Sequence, residues 1–394
     1  MLNCSDWARR RGAAGLPAIV RPAMTRPAIT WPVITWPRAA LLAVALLLAG
    51  APLRAQEAPR AETPAAAGPP GFLPAMAQVE VDEVARLTVR EFDWFDARRG
   101  RAVPVRLYMP MPAPMPMPMP MPQTQPAGAA EAGAAATVPL VVFSHGIGGS
   151  RRGYSYLGRH WASQGVASLH LQHVGSDRSL WSGNLLAVAG RLQAAAQESE
   201  ATARVQDLSF ALDQLLASPL GPRIDARRII AAGHSYGANT TLLAVGARVE
   251  RDGRPLDLHD ARLKAAIVIS APPFYGEAAP DRILGAITVP SLHITTTDDI
   301  IRVPGYYSPA GDRVAVFDAT GGTAKMLAVF EGGSHSVFTD RGGTGGVALN
   351  PQIKAATQAL SMAFLGSVFD GDAGALRSWA QRFGGLLART SIKQ

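Results

Sequence analysis

The sequence predicts an α/β fold with a mostly parallel central sheet and helices on both faces, and three observations predict it. The first is a series of short runs apolar on both sides: "VPLVVFSHG", "GVASLHLQHVG", "RRIIAAGHS", "LKAAIVISAPP", "PSLHITTTDD" and "KMLAVFEGGSH". A strand with no polar face has to be covered twice, which is the condition of a parallel sheet between two helical layers. The second is that helical patterns alternate with them. "ARVQDLSFALDQLLAS" places Val205, Leu208, Leu212, Leu215 and Leu216 at helical spacing, and "YGANTTLLAVGAR" and "PQIKAATQALSMAFLGSVF" read as helices too. The third is that serine, histidine, aspartate and glycine collect just past the carboxyl ends of these runs, where open parallel sheets bind ligands.

The remaining elements follow in chain order. The chain has 394 residues, 48% of them hydrophobic and 17% charged, ample for a sizeable core. A formal charge of +8 invites a nucleic-acid reading, but the excess lies at the front: residues 1–55 hold seven arginines against one acid, leaving 31 basic and 29 acidic residues for the rest. No nucleic-acid partner is expected. The same segment contains "RAALLAVALLLAGAPLRAQ", a basic residue, an apolar stretch from Ala39 to Gly50, and small residues. That layout predicts a secretory signal over 1–55, cleaved after Ala55, and a periplasmic or secreted bacterial protein. The stretch is short of the roughly 20 apolar residues needed to span a bilayer, so no stable membrane span is expected. Upstream, "RPAMT RPAIT WPVIT WPRA" repeats proline every fifth residue, which forbids a regular helix and suggests a true start at Met24. Cys4, the one cysteine, lies ahead of that start, so neither a disulfide nor a thiol nucleophile is expected.

Residues 56–85, Ala/Pro/Gly-rich through Phe72, read as a linker, and 86–394 as a single domain. "RLTVREFDWFDARRGRAVPVRLYMP" predicts a β-hairpin with Gly100 at its tip. The Met-Pro ladder and Ala/Gly run at 109–136 can form only polyproline II or loop, and read as a surface insertion between strands. Methionine is a soft ligand for Cu(I), but no histidine or cysteine accompanies these. With no His-Glu-x-x-His and no zinc spacing elsewhere, neither metal nor other cofactor is expected.

The chemistry centres on "IIAAGHSYGANT". Ser235 ends one apolar run and opens a helical one between Gly233 and Gly237, the setting of a nucleophile held on a strand-to-helix turn. Gly-Ser-Gly alone is also a close-packing site, so the partners decide. "PSLHITTTDDI" supplies Asp298 and Asp299 after one later strand, and "LAVFEGGSHSVF" supplies His335 after another, in the order nucleophile, acid, base. "FSHGIGGS" follows the first parallel strand, where the backbone N–H of Ile147 and that of Tyr236 can form an oxyanion hole. It lacks the G-K-[ST] ending of a phosphate-binding loop. His160, His170, His173, His259 and His293 read as packing or surface residues, and His234 as packing beside the turn. Trp181, Tyr306 and Tyr307 lie on segments between core elements and either wall a substrate pocket or pack their own loops.

The runs "FDWFDARRGRAVPVRLYMP", "VVFSHGIGGSRRGYSYLGRHWASQGVASLHLQHVGSD", "GHSYGANT", "TTTDDIIRVPGYYSP" and "EGGSHSVF" resemble bacterial α/β-hydrolases of the predicted dienelactone hydrolase type, relatives of the plasma-type platelet-activating-factor acetylhydrolases and more distantly of polyester-degrading cutinases. The resemblance spans roughly Phe92 to Leu387. It implies the α/β-hydrolase fold, Ser235 as nucleophile, His335 as base, and Ile147 and Tyr236 as oxyanion donors. Hydrolases of this architecture commonly read P-x-L-x-I-x-G-x-x-D on the acid-bearing strand, and counting from Pro290 places the acid at Asp299. The chain departs from the pattern twice: a serine stands where dienelactone hydrolases carry cysteine, and the turn reads G-H-S-Y-G-A where cutinase-like enzymes often read G-H-S-M-G-G. The expectation is an exported serine esterase acting on a small-molecule or lipid ester through an acyl-enzyme. Its rivals are a lipase or phospholipase A2-like acetylhydrolase at a lipid surface and a non-catalytic binding protein on a hydrolase scaffold. The sequence leaves the oligomeric state open.

Overall fold

In the computed structural model, the described residues are 79–112, 137–251, 254–274, 279–303, 306–341 and 348–393. The expected signal at 1–55, the linker up to residue 78 and most of the Met-Pro insertion lie outside them.

The strands are β1 (Val79–Asp82), β2 (Leu87–Asp96), β3 (Arg101–Pro110), β4 (Val138–Ser144), β5 (Ala167–Leu171), β6 (Ile224–His234), β7 (Val249–Arg251), β8 (Arg254–Leu256), β9 (Leu263–Ile269), β10 (Ser291–Asp298), β11 (Ile301–Val303), β12 (Tyr306–Ser308), β13 (Lys325–Ser334) and β14 (Leu387–Lys393). The helices are α1 (Ser155–Ser163), α2 (Leu185–Ala195), α3 (Glu198–Ala217), α4 (Tyr236–Ala244), α5 (Pro280–Leu284), α6 (Gly311–Ala319), α7 (Leu349–Asp370) and α8 (Ala373–Phe383). Among the described residues, ten strands form one sheet in the order β1-β2-β3-β5-β4-β6-β9-β10-β13-β14. From β5 to β13 neighbours run parallel, and these six are the strands the two-sided apolar runs predicted. Antiparallel strands flank them, the β2–β3 hairpin on one side and β14 on the other.

Alternation along each parallel strand divides the core. Leu140 and Val142 of β4 face Leu208 and Leu212 of α3, while Val141 and Phe143 face Leu157 and Trp161 of α1. Ile229 and Ala231 of β6 join the first layer, and Ile230 and Ala232 the second with α7 and α8. Trp161 Nε1 donates to Ser361 Oγ at 2.8 Å and Trp379 Nε1 to Ala356 O at 2.8 Å, so both indoles satisfy their polar atom while joining helices. Because the parallel strands share one direction, Ser144, His234, Ile269, Asp298 and Ser334 all end at the same edge.

Two expected boundaries move. β1 lies inside the expected linker and pairs with β2 from Val79↔Arg90 to Asp82↔Leu87. Its acids hold it on the sheet: Arg159 bonds Asp82 at 2.9 Å and also Glu80, and Arg106 reaches Glu80 at 3.2 Å. Met109 and Pro110, counted with the insertion, complete β3, where Met109 is buried.

Candidate active site

Ser235 stands between the last residue of β6 and the first of α4 with φ 55° and ψ −122°, a conformation that costs a non-glycine residue on the order of 1–3 kcal/mol. Its surroundings enforce it. The Ser235 N–H donates to Ile269 O at 2.9 Å, tying the turn to β9. The glycines let the backbones close in: a Cβ on Gly237 would stand 1.9 Å from Ser144 O, and one on Gly233 would stand 2.1 Å from Gly237 O. Only hydrogen fits at either place, so the turn is tight enough to lift the Ser235 side chain off the strand ends.

His335 follows β13 and opens a short 3₁₀ turn. Its Nε2 lies 2.8 Å from Ser235 Oγ and its Nδ1 lies 2.6 Å from Asp299 Oδ1. Asp299 is fully buried just past β10, whose pairing with β13 shifts register between Thr296 and Asp298. That irregularity turns the chain so that Asp299 points inward and Asp298 stays exposed. Thr295 Oγ1 donates to Asp299 Oδ2 at 2.7 Å, and the buried Arg313 guanidinium approaches Oδ1 at 3.4 Å. Burial by itself pushes the Asp299 carboxyl up, but the hydrogen bond and charge of His335, together with Arg313, hold it well below the usual carboxylate range. An ionised Asp299 fixes the proton of His335 on Nδ1 and leaves Nε2 free to accept from the serine hydroxyl.

Beside the serine, Tyr236 is the first residue of α4, so its N–H has no intrahelical acceptor. On the loop after β4, the Gly148 N–H donates to Ser176 O at 2.8 Å and that of Gly149 to Gly146 O at 3.0 Å. Among the described residues no such bond occupies the Ile147 N–H. Two amides, one at a helix N-terminus, are thus left for an anion.

Sequence reasoning left a second layer unread. His234 is buried; its Nε2 donates to the His335 carbonyl at 3.0 Å and its Nδ1 accepts from the Tyr154 hydroxyl at 2.8 Å. Burial, then the charge of His335, pulls His234 down to about 3, so it is neutral at ordinary pH. On the other side, fully buried Arg204 of α3 donates to His145 O at 2.5 Å, Ser176 Oγ at 2.8 Å and Thr240 Oγ1 at 2.9 Å. Burial lowers its guanidinium to about 10, which leaves it protonated. His173, expected to be a satisfied packing residue, is one: Nδ1 bonds Asp207 at 3.2 Å and Nε2 bonds Ser144 Oγ at 3.0 Å, all three buried. Arg204 had a signal, a charge on the buried stripe of α3 four residues before Leu208. Tyr154 and Arg313 had none.

The three aromatics expected either to wall a pocket or to pack their own loops lie on different elements or faces. Trp181 lies against the loop after β4, half exposed, its Nε1 donating to Gly148 O at 3.2 Å. Tyr306 lies on β12, its hydroxyl 3.5 Å from Pro273 O past the end of β9. Tyr307, on the opposite face of that strand, is 60% exposed and has the Arg302 guanidinium 5.8 Å from its ring centre.

The family model for platelet-activating factor acetylhydrolase, isoform II, matches residues 126–185, a segment that includes β4 and the loop after it. In structure the chain is similar to a ferulic acid esterase from Streptomyces cinnamoneus, with a TM-score of 0.50 and 21% identity over 73% of this chain and 91% of that one. This is the α/β-hydrolase fold. A cold-adapted esterase from an Arctic intertidal metagenomic library aligns with this chain at a TM-score of 0.44 and 17% identity, over 66% of this chain and 90% of that one. No curated protein sequence matches it. Among its described residues no helix is long and apolar enough to cross a membrane.

Proposed function

We propose that this α/β-hydrolase is a carboxylic ester hydrolase that works through an acyl-enzyme on Ser235. The observation that carries the reading is the hydrogen-bonded row Ser235–His335–Asp299 on a strained turn beside two free amides. Ser235 Oγ attacks the ester carbonyl carbon while His335 Nε2 takes its proton. The carbonyl oxygen becomes an oxyanion held by the N–H groups of Ile147 and Tyr236. The ester C–O bond then breaks, the alcohol leaves with the proton from His335, and the acyl group stays on Ser235. Water, deprotonated by His335, attacks the acyl-enzyme and releases the acid, returning the proton to Ser235. Asp299 remains a carboxylate throughout.

The test is hydrolysis of p-nitrophenyl esters from acetyl to dodecanoyl, with Ser235→Ala as control and labelling by a fluorophosphonate. Turnover and labelling that both vanish in Ser235→Ala support the reading; an unlabelled, inactive wild-type protein leaves a binding scaffold instead. The acetylhydrolase match favours a second reading, an enzyme for acetyl esters at a lipid surface, and short-chain preference retained on phospholipid vesicles is its mark. Export completes the proposal: residues 1–55 act as a cleaved signal, and mass spectrometry of the exported protein should find an amino terminus near Gln56.

A further inference from the structure

Arg204 is a cation enclosed in the protein without an ion pair of its own. It is 0% exposed, and among the described residues no carboxylate forms a salt bridge with it. The acids of its own helix pair directly with other cations: Asp207 with Arg99 and Arg101, each at 2.9 Å, and Glu200 with Arg101 at 3.2 Å, while Glu200 also accepts at 2.7 Å from the Ser176 hydroxyl that Arg204 bonds. Its own partners are a carbonyl and two hydroxyls, with Tyr236 beneath its plane, the ring centre 4.5 Å away. A buried charge with no direct counter-ion is expensive; Glu200 and Asp207 offset this one from a distance, and its direct bonds go to the groups it organises.

Each of these contacts bears on one of the two amides assigned to the oxyanion. His145, whose carbonyl takes Nη2, lies two residues before Ile147. Ser176, whose hydroxyl takes Nη1, accepts the Gly148 N–H through its carbonyl, one residue after Ile147. The loop is therefore pinned on both sides of the Ile147 amide. Stacking on Tyr236 holds the residue that supplies the second amide, while Nε bonds Thr240 one turn further along α4. A single guanidinium thus joins a loop after β4 to a helix after β6, two segments far apart in sequence.

We propose that Arg204 is a positioning residue that fixes the spacing of the Ile147 and Tyr236 amides for a tetrahedral oxyanion. It never touches substrate. Its effect is confined to the state in which the carbonyl oxygen carries charge, because that is when the geometry of both amides counts. The proposal rests on the esterase reading above.

The test measures kcat and KM for p-nitrophenyl acetate, and inhibition by a phenylboronic acid that forms a tetrahedral adduct on Ser235, in wild type, Arg204→Lys and Arg204→Met. Circular dichroism and melting curves fix the folded fraction. Lysine keeps the charge but cannot reach the loop and α4 at once, so kcat is expected to fall about 10- to 100-fold in Arg204→Lys and further in Arg204→Met. KM should stay within about threefold and boronate affinity should weaken in step with kcat. Should Arg204→Met fail to fold, Ser176→Ala takes its place; it removes one of the loop contacts and should lower kcat severalfold with boronate affinity following. A lower melting temperature with kcat per folded molecule unchanged, a loss confined to KM, or boronate affinity that does not track kcat overturns the proposal. A wild-type protein with no esterase turnover and no Ser235 labelling defeats the functional reading itself, an outcome read without any Arg204 variant.

Discussion

Asp299 Oδ1 lies 2.6 Å from His335 Nδ1, while Asp298, one residue earlier, is exposed at the end of β10. The register shift against β13 makes that difference, since successive residues leaving a regular strand point to opposite sides. Asp299→Asn should leave the imidazole free to adopt the wrong tautomer and lower kcat by about 10⁴-fold. Asp298→Asn, a solvated turn substitution, should change kcat by less than about tenfold. Steady-state kinetics on both variants, each shown folded by circular dichroism, check the ranking. The reverse order would give the role to Asp298.

The contact that tightens the Ser235 turn gives a second expectation. A methyl group on Gly237 has to displace the Ser144 carbonyl, a backbone atom at the end of β4, 1.9 Å away. Gly237→Ala is therefore expected to destabilise the protein by about 1–3 kcal/mol or more, as overpacking does. It should also remove most esterase activity, because the shift acts on the residue after Tyr236. A urea melt and p-nitrophenyl acetate turnover of the variant provide the check.

The fold was legible because its six parallel strands are short, apolar on both faces and separated by helical patterns, a signal that depends on local composition alone. At the strand ends, chain order and glycine placement pointed to Ser235 and His335 and left Asp298 and Asp299 open, with the resemblance to hydrolases choosing Asp299, the one that the structure places against His335. β1 was not, since its valines alternate with Glu80 and Asp82 at an exposed edge, held by Arg106 and Arg159 from distant elements. Nor was the second layer of the site. Tyr154 reaches His234 across 80 positions of chain, and only the packing of α1 under β4 and β6 makes that pairing.

Five histidines predict an acid-sensitive fold. Burial lowers His170, His234 and His293 to about 3, and burial with the nearby Arg204 charge lowers His145 and His173 well below the usual value. In the unfolded chain each titrates near 6.5. Below that pH the unfolded state binds protons that the folded state does not, so stability is complete above about 6.5 and falls as pH drops toward the folded values. Each neutral histidine contributes a slope of up to about 1.4 kcal/mol per pH unit. Melting temperatures measured from pH 7.5 to 4.5 should fall steeply below pH 6. His170 packs against Tyr108 and Phe143 with neither ring nitrogen hydrogen-bonded among the described residues. His170→Phe should therefore flatten the slope by about one proton's worth without lowering stability at pH 7.5. An unchanged slope in that variant would remove His170 from the account.

The last expectation concerns the base from behind. His335 is held at its ring by Asp299 and at its backbone by His234, whose Nε2 donates to the His335 carbonyl at 3.0 Å. A carbonyl only accepts, so His234 has to carry its proton on Nε2, and the Tyr154 hydroxyl enforces this by donating to Nδ1 at 2.8 Å. Tyr154→Phe deletes that donor. The proton of His234 can then sit on either nitrogen, and the bond to His335 is present only part of the time. Stability should fall by about 1 kcal/mol, as for one buried hydrogen bond, and kcat by about 3- to 10-fold. His234→Ala removes the contact and the ring tilted against that of His335 with centres 4.8 Å apart, and should cost about 100-fold, the scale of an ångström's misplacement of a reacting group. If Tyr154 and His234 act through the base alone, the loss in Tyr154→Phe should appear equally for acetyl and longer esters. A loss that varied with acyl length would mean that Tyr154 acts on substrate through Gly146, whose N–H lies 3.4 Å from its hydroxyl, and not through the base.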